Sequence, residues 1–455
     1  MRHAVVVGAG VAGMLAARAL AGVCDRVTVF ERDDLPTDSG HRAVPGRVRR
    51  GAPQGRHAHL LLAGGLTAME ELLPGLTDEL RREGAPQADV QRDLRWSGNG
   101  ATVRRDPSGL HTLLVSRPLL ETGMRRRLRA LGGVEIKDRH ETVGLMSAPG
   151  SHAVDGVLVR PAGGSGTRDV PADLVVDATG RASRGPVWLA QAGYAVPASE
   201  RFPIALRYAT FHFAPGPGPD GALGVLASLS GAASRGAVAL AQEDGRWVIT
   251  LQGRGADVPP TDPEGLRSFL TEMGVPEVGD SLTALRPSQA AVPSRYPEVV
   301  RHDYRSMPER PRGFLALGDA LTSLDPAHGQ GMTAAALQAL LLRDRAREDG
   351  ENVPSSFAEA AAELTGRLWE AGLSAYAPEG ADERWRSAVR RRDQYLSLVY
   401  AAGAKDGEIA NSLVRLANLL DPPGVLFRPE TRQRVLALAG GPDRGDQRVT
   451  SAGRP

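Results

Sequence analysis

Cysteine occurs once in this 455-residue chain, at Cys24. No intrachain disulfide and no multi-cysteine metal site can form, and a cytoplasmic location is the default expectation. Lysine is almost as scarce, with Lys137 and Lys405 the only two. Schiff-base and P-loop lysine chemistry therefore has few residues to use. An excess of charge is missing as well, because 55 basic residues face 53 acidic ones. Neither a nucleic-acid partner nor an acidic surface follows from such a balance. No stretch approaches the roughly 18 to 20 apolar residues of a membrane span. Met1-Arg2-His3 ahead of an apolar run mimics a signal peptide, but glycines interrupt the run and a helix pattern follows it. There is no internal repeat, and no metal is expected, since His57-x-His59 lacks a third ligand at metal-like spacing.

What is present begins with size. A chain of 48.1 kDa with 42% apolar residues has enough material for two packed subdomains. The arginine triplets Arg125-Arg126-Arg127 and Arg390-Arg391-Arg392 fall in helix-like segments and read as solvated faces.

Ala4 to Val7, Val11 to Leu20 and Val27 to Phe30 read as strand, helix and strand. Residues 36 to 57 are a polar loop. Helices are expected from about Leu60 to Leu73 and from Pro118 through Arg129, with a returning strand at Val134 to Ile136. A hairpin and a strand, Asp173 to Asp177, complete this part. Between about 200 and 300 the pattern becomes alternating strands: Ile204 to Phe213, Leu223 to Leu229, Gly236 to Ala241 and Arg246 to Gln252. Helical periodicity returns at Thr333 to Arg347, Ser355 to Leu373 and Trp385 to Leu420. The expected fold class is α/β, with α+β character in the inserted, mostly antiparallel sheet and a helical C-terminal region.

Two segments carry the chemistry. Gly8, Gly10, Val11, Ala12 and Gly13 stand between the first strand and its helix. Gly8 permits the tight turn, Gly10 lets a pyrophosphate approach the backbone, and Gly13 lets helix and strand pack closely. Glu31 ends the second strand, where a carboxylate accepts ribose hydroxyls, and Arg32 follows it. Near the other end, Gly318-Asp319 follows the strand Phe314 to Leu317, with Pro326 and Gly329-Gln330-Gly331-Met332 just beyond. That is a second glycine-rich helix entry, suited to the other half of a long dinucleotide, and the pair points to FAD.

On these residues the chain resembles the class A flavoprotein monooxygenases, the para-hydroxybenzoate hydroxylase superfamily with its squalene-epoxidase-like branch. Gly8 to Gly13 looks like the first fingerprint of that family, and Gly318-Asp319-Ala320 with Pro326 and Gly329 to Met332 like its third. Ser116-Arg117-Pro118-Leu119-Leu120 is similar to the segment whose arginine reaches the flavin linker. Pro53 to Leu60, including Arg56, resembles a stretch of actinobacterial polyketide and terpenoid tailoring enzymes. Pattern and resemblance together give the expected domains: a Rossmann-like FAD-binding domain over 1–195 completed by 300–350, a substrate-binding sheet over 196–299, a helical region over 351–440, and, from its polar composition, a frayed tail over 441–455. Two departures stand out. Asp177-Ala178-Thr179-Gly180 separates the Asp and Gly of the family's dual FAD and NAD(P)H motif, and Asp325-Pro326-Ala327-His328 stands where the epoxidase branch tends to have Asn-Pro-Val-Tyr.

The family implies that NADPH or NADH reduces FAD and that O2 supplies an oxygen atom to an alkene or activated ring. His328 is the candidate catalytic residue beside the flavin. Arg207, Tyr208, Phe211, Phe213 and Trp247 are candidates to line a pocket for a small-molecule, mainly apolar substrate. The alternatives are a redox-neutral cyclase that keeps FAD as a structural element, a prenyl-chain reductase, and a non-enzymatic flavin-binding protein. A halogenase is disfavoured because its active-site lysine and Trp-x-Trp-x-Ile-Pro motif are absent.

Overall fold

A computed structural model describes residues 1–36, 48–148, 150–227, 234–374 and 381–440. The order of elements begins with His3–Val7, Val11–Leu20 and Arg26–Phe30, a strand, helix and strand whose two strands pair in parallel. Every residue of the first strand is buried. Such a strand must be covered on both faces. Val134–Lys137 adds beyond the second strand, while Leu174–Asp177 and then Phe314–Ala316 add on the other side, giving a five-stranded parallel sheet. Two chain segments more than a hundred residues apart thus lie side by side at its centre.

Helix Val11–Leu20 packs against helix Gly331–Glu348. Ala16 and Ala17 on the first helix, and Ala335, Ala336 and Ala339 on the second, are all buried. Small residues let the two axes approach, which brings both N-termini to one end of the sheet.

The second sheet has seven strands and is mostly antiparallel. Its centre is Ala198–Phe213, Trp247–Arg254, Arg235–Ala241 and Gly224–Ala227. It is wider than the expected four strands. Val292–Asp303 pairs along the whole outer edge, and Leu94–Gly98, from far earlier in the chain, pairs in parallel with Gly224–Ala227. The distal part of the Leu223 to Leu229 expectation, and the tail over 441–455, lie outside the described residues.

Three element readings are corrected. The helix expected from Leu60 starts at Ala63, because Leu61 bridges to Leu113 in extended form and Asn418 caps the helix from a distance. Its Oδ1 accepts the Ala63 N–H at 2.9 Å. The expected helix Trp385 to Leu420 is two, Glu383–Gly403 and Gly407–Ala417, since Asp406 caps the second by accepting from the N–H groups of Glu408 and Ile409. Arg125 is buried rather than solvated. Its Nη2 donates to Thr122 Oγ1 at 2.9 Å, and Glu121 lies 3.7 Å from Nη1.

Candidate active site

A cavity of about 1030 Å³ runs from the parallel sheet to the face of the antiparallel one. That is at the top of the ~300–1,000 Å³ range of an ordinary ligand pocket. Gly8, Gly10, Val11 and Ala12 line one part of it, and Asp319, Pro326, His328, Gly329, Gln330, Gly331 and Met332 another. Glu31, Arg32, Arg117 and Tyr208 also face it.

The first turn is built by steric necessity. Gly8 has φ +102°, and a Cβ there would meet the Ala178 carbonyl oxygen at 2.7 Å. A Cβ on Gly13 would stand 1.8 Å from the Gly8 carbonyl oxygen. Neither position tolerates a side chain, so the helix is held close and its first N–H groups face the cavity. Gly13 and Gly318 shape the turns from behind rather than lining the space.

Glu31 is buried. Its Oε2 accepts the Ala9 N–H at 2.8 Å and its Oε1 the Asp33 N–H at 3.0 Å. Arg49 Nη1 donates to the same Oε2 at 3.1 Å. Arg49 in turn donates through Nε to Glu121 at 2.8 Å, and Arg117 Nε donates to that carboxylate at 2.8 Å. Burial opposes the charge on Glu121, but Arg117 and Arg49 more than offset it and take the carboxyl down to about 2. Glu121 thus anchors two guanidinium groups over the glycine turn. A Cβ on Gly10 would stand 3.4 Å from Arg49 Nη2 and 4.0 Å from Arg117 Nη2. Two cations therefore lie beside the bare turn, and their charge favours an anion on the cavity side.

Asp319 is pushed above the ordinary carboxyl range by burial, against the pull of Arg181 and Arg117. The turn that follows is tied to the second sheet. Asp325 Oδ1 accepts the Ala327 N–H at 3.0 Å, and Arg254, at the end of strand Trp247–Arg254, donates to its Oδ2 at 2.8 Å. Gly329, at φ +65°, ends that turn and starts the run into helix Gly331–Glu348. His328 Nε2 lies 3.6 Å from Asp325 Oδ2, and burial lowers its pKa against the raising effect of Asp325.

The donor set fits FAD. Glu31 suits ribose hydroxyls, the first turn with Arg49 and Arg117 suits a pyrophosphate, Asp319 suits the hydroxylated linker, and the amides from Gly329 to Met332 suit the pyrimidine edge of the ring. Among the described residues no group of three or more His, Cys, Asp and Glu is placed to hold a metal ion, and no helix is long and apolar enough to cross a membrane.

The wall residues divide by strand parity. Tyr208 faces the cavity, whereas Arg207, Phe211, Phe213 and Trp247 do not line it. Successive side chains alternate between faces. Arg207, Phe211 and Phe213 share the opposite parity from Tyr208, and Trp247 pairs with Phe213 in register. Phe211, Phe213 and Trp247 are buried in the core behind the sheet, with the first two rings stacked at 6.5 Å. Arg56 is exposed and also stands off the cavity, where its carbonyl partners His212 Nε2 at 2.9 Å.

Functional positions absent from the sequence reading include Arg49 and Arg181. Arg181 stacks its guanidinium 5.0 Å above the Tyr296 ring, and Tyr296 packs on Tyr208 at 5.1 Å. Arg49 sits in an arginine-rich loop with no local signal to separate it from Arg50. Asp177 is spent on its own turn, accepting from Thr179 N–H and Oγ1 and from Ser183 Oγ.

No family model matches the chain. Protein Rv3254 of Mycobacterium tuberculosis is 32% identical over 443 residues, which span 92% of this chain and 90% of that protein. Among solved structures, PqsL, a probable FAD-dependent monooxygenase from Pseudomonas aeruginosa, aligns with a TM-score of 0.61 at 20% identity, over 86% of this chain and 100% of that one. The p-nitrophenol 4-monooxygenase PnpA from Pseudomonas putida aligns with a TM-score of 0.60 at 16% identity, over 93% and 100%. A flavoprotein/dehydrogenase from Cytophaga hutchinsonii gives 0.63 at 16% identity, over 96% and 98%. The fold is that of the FAD-dependent monooxygenases.

Proposed function

The chain belongs to the family of the mycobacterial protein Rv3254, and from its site we propose that it is an FAD-dependent monooxygenase, an epoxidase or hydroxylase acting on a large, mainly apolar metabolite such as a polyketide or terpenoid. One observation carries this reading. The two glycine-bearing helix entries, Glu31 and Asp319 line a single cavity that continues along the antiparallel sheet, so one space has room for a dinucleotide and a second molecule.

When bound, FAD supplies the redox chemistry that couples a nicotinamide reductant and O2 to oxygen transfer. The protein's own part is positioning and shielding. Glu31, Arg49, Arg117 and Asp319 hold the cofactor's polar length. The N-terminal amides of helix Gly331–Glu348 stabilise negative charge at the cofactor's edge. Trp96, Leu226, Ala227 and Val238 on the sheet supply an apolar wall for the substrate and exclude water. His328, kept neutral by burial, offers an imidazole at the junction of the two halves. With Cys24 buried and unpaired, the cytoplasm is the compartment this reading assigns.

A redox-neutral cyclase is the second reading, favoured by Asp177 being occupied within its own turn rather than presented to a nicotinamide. Mixing the FAD-loaded protein with NADH or NADPH in air separates the two. Flavin bleaching with oxygen uptake supports the monooxygenase. Flavin that stays oxidised with both nicotinamides, while a polyene is converted to an isomer of equal mass, overturns it in favour of the cyclase.

A further inference from the structure

One transverse row of the antiparallel sheet presents four of its five members to the cavity, all but Thr210. Trp96 stands in register with Leu226, Leu226 with Val238, Val238 with Thr250, and Thr250 with Thr210. The row changes character along its length, from an indole through two aliphatic side chains to two hydroxyls. Trp96 Nε1 is already used, donating to the Val90 carbonyl at 2.6 Å, so this residue offers only its ring.

At the hydroxyl end a chain of hydrogen bonds runs through His57. Ser294 Oγ lies 2.9 Å from His57 Nε2, His57 Nδ1 lies 2.7 Å from Thr210 Oγ1, and Thr210 Oγ1 lies 2.8 Å from Thr250 Oγ1. The Ala58 N–H donates to Thr250 Oγ1 at 2.9 Å. Ser294, His57 and Thr250 line the cavity, while Thr210 is fully buried. His57 is itself 5% exposed and packs edge-on against Tyr208 at 5.3 Å.

A neutral imidazole has one N–H and one lone pair, so the chain has two consistent states. With the proton on Nε2, Ser294 accepts it and turns its own O–H toward the cavity. Thr250 then donates to Thr210, Thr210 donates to Nδ1, and Thr250 keeps a lone pair for the cavity. With the proton on Nδ1, every bond among the four side chains reverses, while the Ala58 N–H still donates to Thr250. Ser294 donates to Nε2 and keeps a lone pair, while Thr250, accepting from Thr210 and Ala58, turns its O–H outward. Each state shows the cavity one donor and one acceptor, at opposite ends, and the tautomer decides which is which.

We propose that this chain of Ser294, His57, Thr210 and Thr250 is a substrate-reading device that binds a neutral oxygen function, a hydroxyl or ketone, on a molecule whose apolar body lies along Val238, Leu226 and Trp96. His57 is a positioning residue, acting through the two hydroxyls. A carboxylate is a poor match, because it needs donors at both ends and the neutral chain supplies one. The inference rests on the proposed function, in which the rest of the cavity holds FAD.

The test is equilibrium dialysis of the FAD-loaded protein against naphthalene, 2-naphthol and 2-naphthoate, with flavin absorbance recorded on the same samples. The expected result is that 2-naphthol binds about fivefold to tenfold more tightly than naphthalene, the effect of one or two neutral hydrogen bonds, and that 2-naphthoate shows no such gain. Thr250→Val, close to isosteric, and His57→Phe should each reduce the preference below about twofold with naphthalene affinity kept. His57→Gln, which retains a donor and an acceptor, should restore part of it. The inference is overturned by equal binding of naphthalene and 2-naphthol, by tighter binding of 2-naphthoate, or by an unchanged preference in Thr250→Val. In the wild-type protein, an absence of preference with flavin retained refutes this inference alone. A protein that holds no FAD yet keeps the preference refutes the flavin reading alone.

Discussion

Ala12 and Gly318, more than three hundred residues apart in the chain, are in contact: a Cβ on Gly318 would stand 2.7 Å from the Ala12 Cβ. This is where the two glycine-bearing segments meet. Gly318 also has φ +68°, a conformation costly for any residue with a Cβ. Gly318→Ala should therefore destabilise by about 2–4 kcal/mol, from overpacking plus left-handed backbone strain. The double variant Ala12→Gly with Gly318→Ala should recover the packing part and leave the strain. Thermal melts of the three proteins check this, and strict additivity would refute the contact.

Arg49 bridges two buried carboxylates beside the first turn, donating to both Glu31 and Glu121. Arg49→Ala should weaken FAD binding by about tenfold or more, since it removes charge-assisted bonds and leaves two buried carboxylates short of a partner. Titration of the stripped protein with FAD measures the loss. Arg56→Ala, at an exposed position off the cavity, should leave the affinity unchanged.

Acid sensitivity should come in two windows that overlap near pH 4. His57 is lowered from 6.5 to about 4 by burial first, then by His212 and Arg56. The unfolded chain takes up this proton before the folded one does, so the stabilising contribution is complete above pH 6.5 and is lost as pH falls through about 4. Glu121, lowered from 4.5 to about 2, contributes fully above 4.5 and is lost as pH falls through about 2. Chemical denaturation across pH should show a shallower upper slope in His57→Gln, not a flat one, because His59 is lowered to about 3 and shares that window. Glu121→Gln should alter only the lower window.

Phe211 and Tyr208 should separate stability from binding. Phe211→Ala empties the core behind the sheet and should cost about 3–5 kcal/mol while leaving the bound flavin spectrum unchanged. Tyr208→Phe keeps the volume and should change ligand binding at the cavity instead. Melting temperature and flavin difference spectra read the two effects.

Much of the cofactor half was legible locally. Gly8, Gly13 and the strand and helix around them form one continuous pattern, and a steric requirement for glycine shows itself as glycine. The substrate half was less so. Arg207, Tyr208, Phe211 and Phe213 span both faces of one strand, and residue type alone does not reveal which parity faces the cavity. Asn418 capping Ala63, and Leu94–Gly98 joining a sheet built from residues past 198, are long-range events with no local mark. Arg49 was hidden for the opposite reason: its neighbours look just like it. The Asp406-Gly407 cap that splits the C-terminal helix was visible but outweighed by the periodicity on either side.

The central claim is that the two distant turns grip one FAD, and the most direct measurement is the flavin content of the purified chain and of Asp319→Ala after incubation with excess FAD and gel filtration. The account predicts one flavin per chain for the wild type, with its visible absorbance perturbed from that of free FAD, and a marked loss for Asp319→Ala. A wild-type protein that emerges colourless from the column, or an Asp319→Ala protein that keeps its full complement, would contradict it.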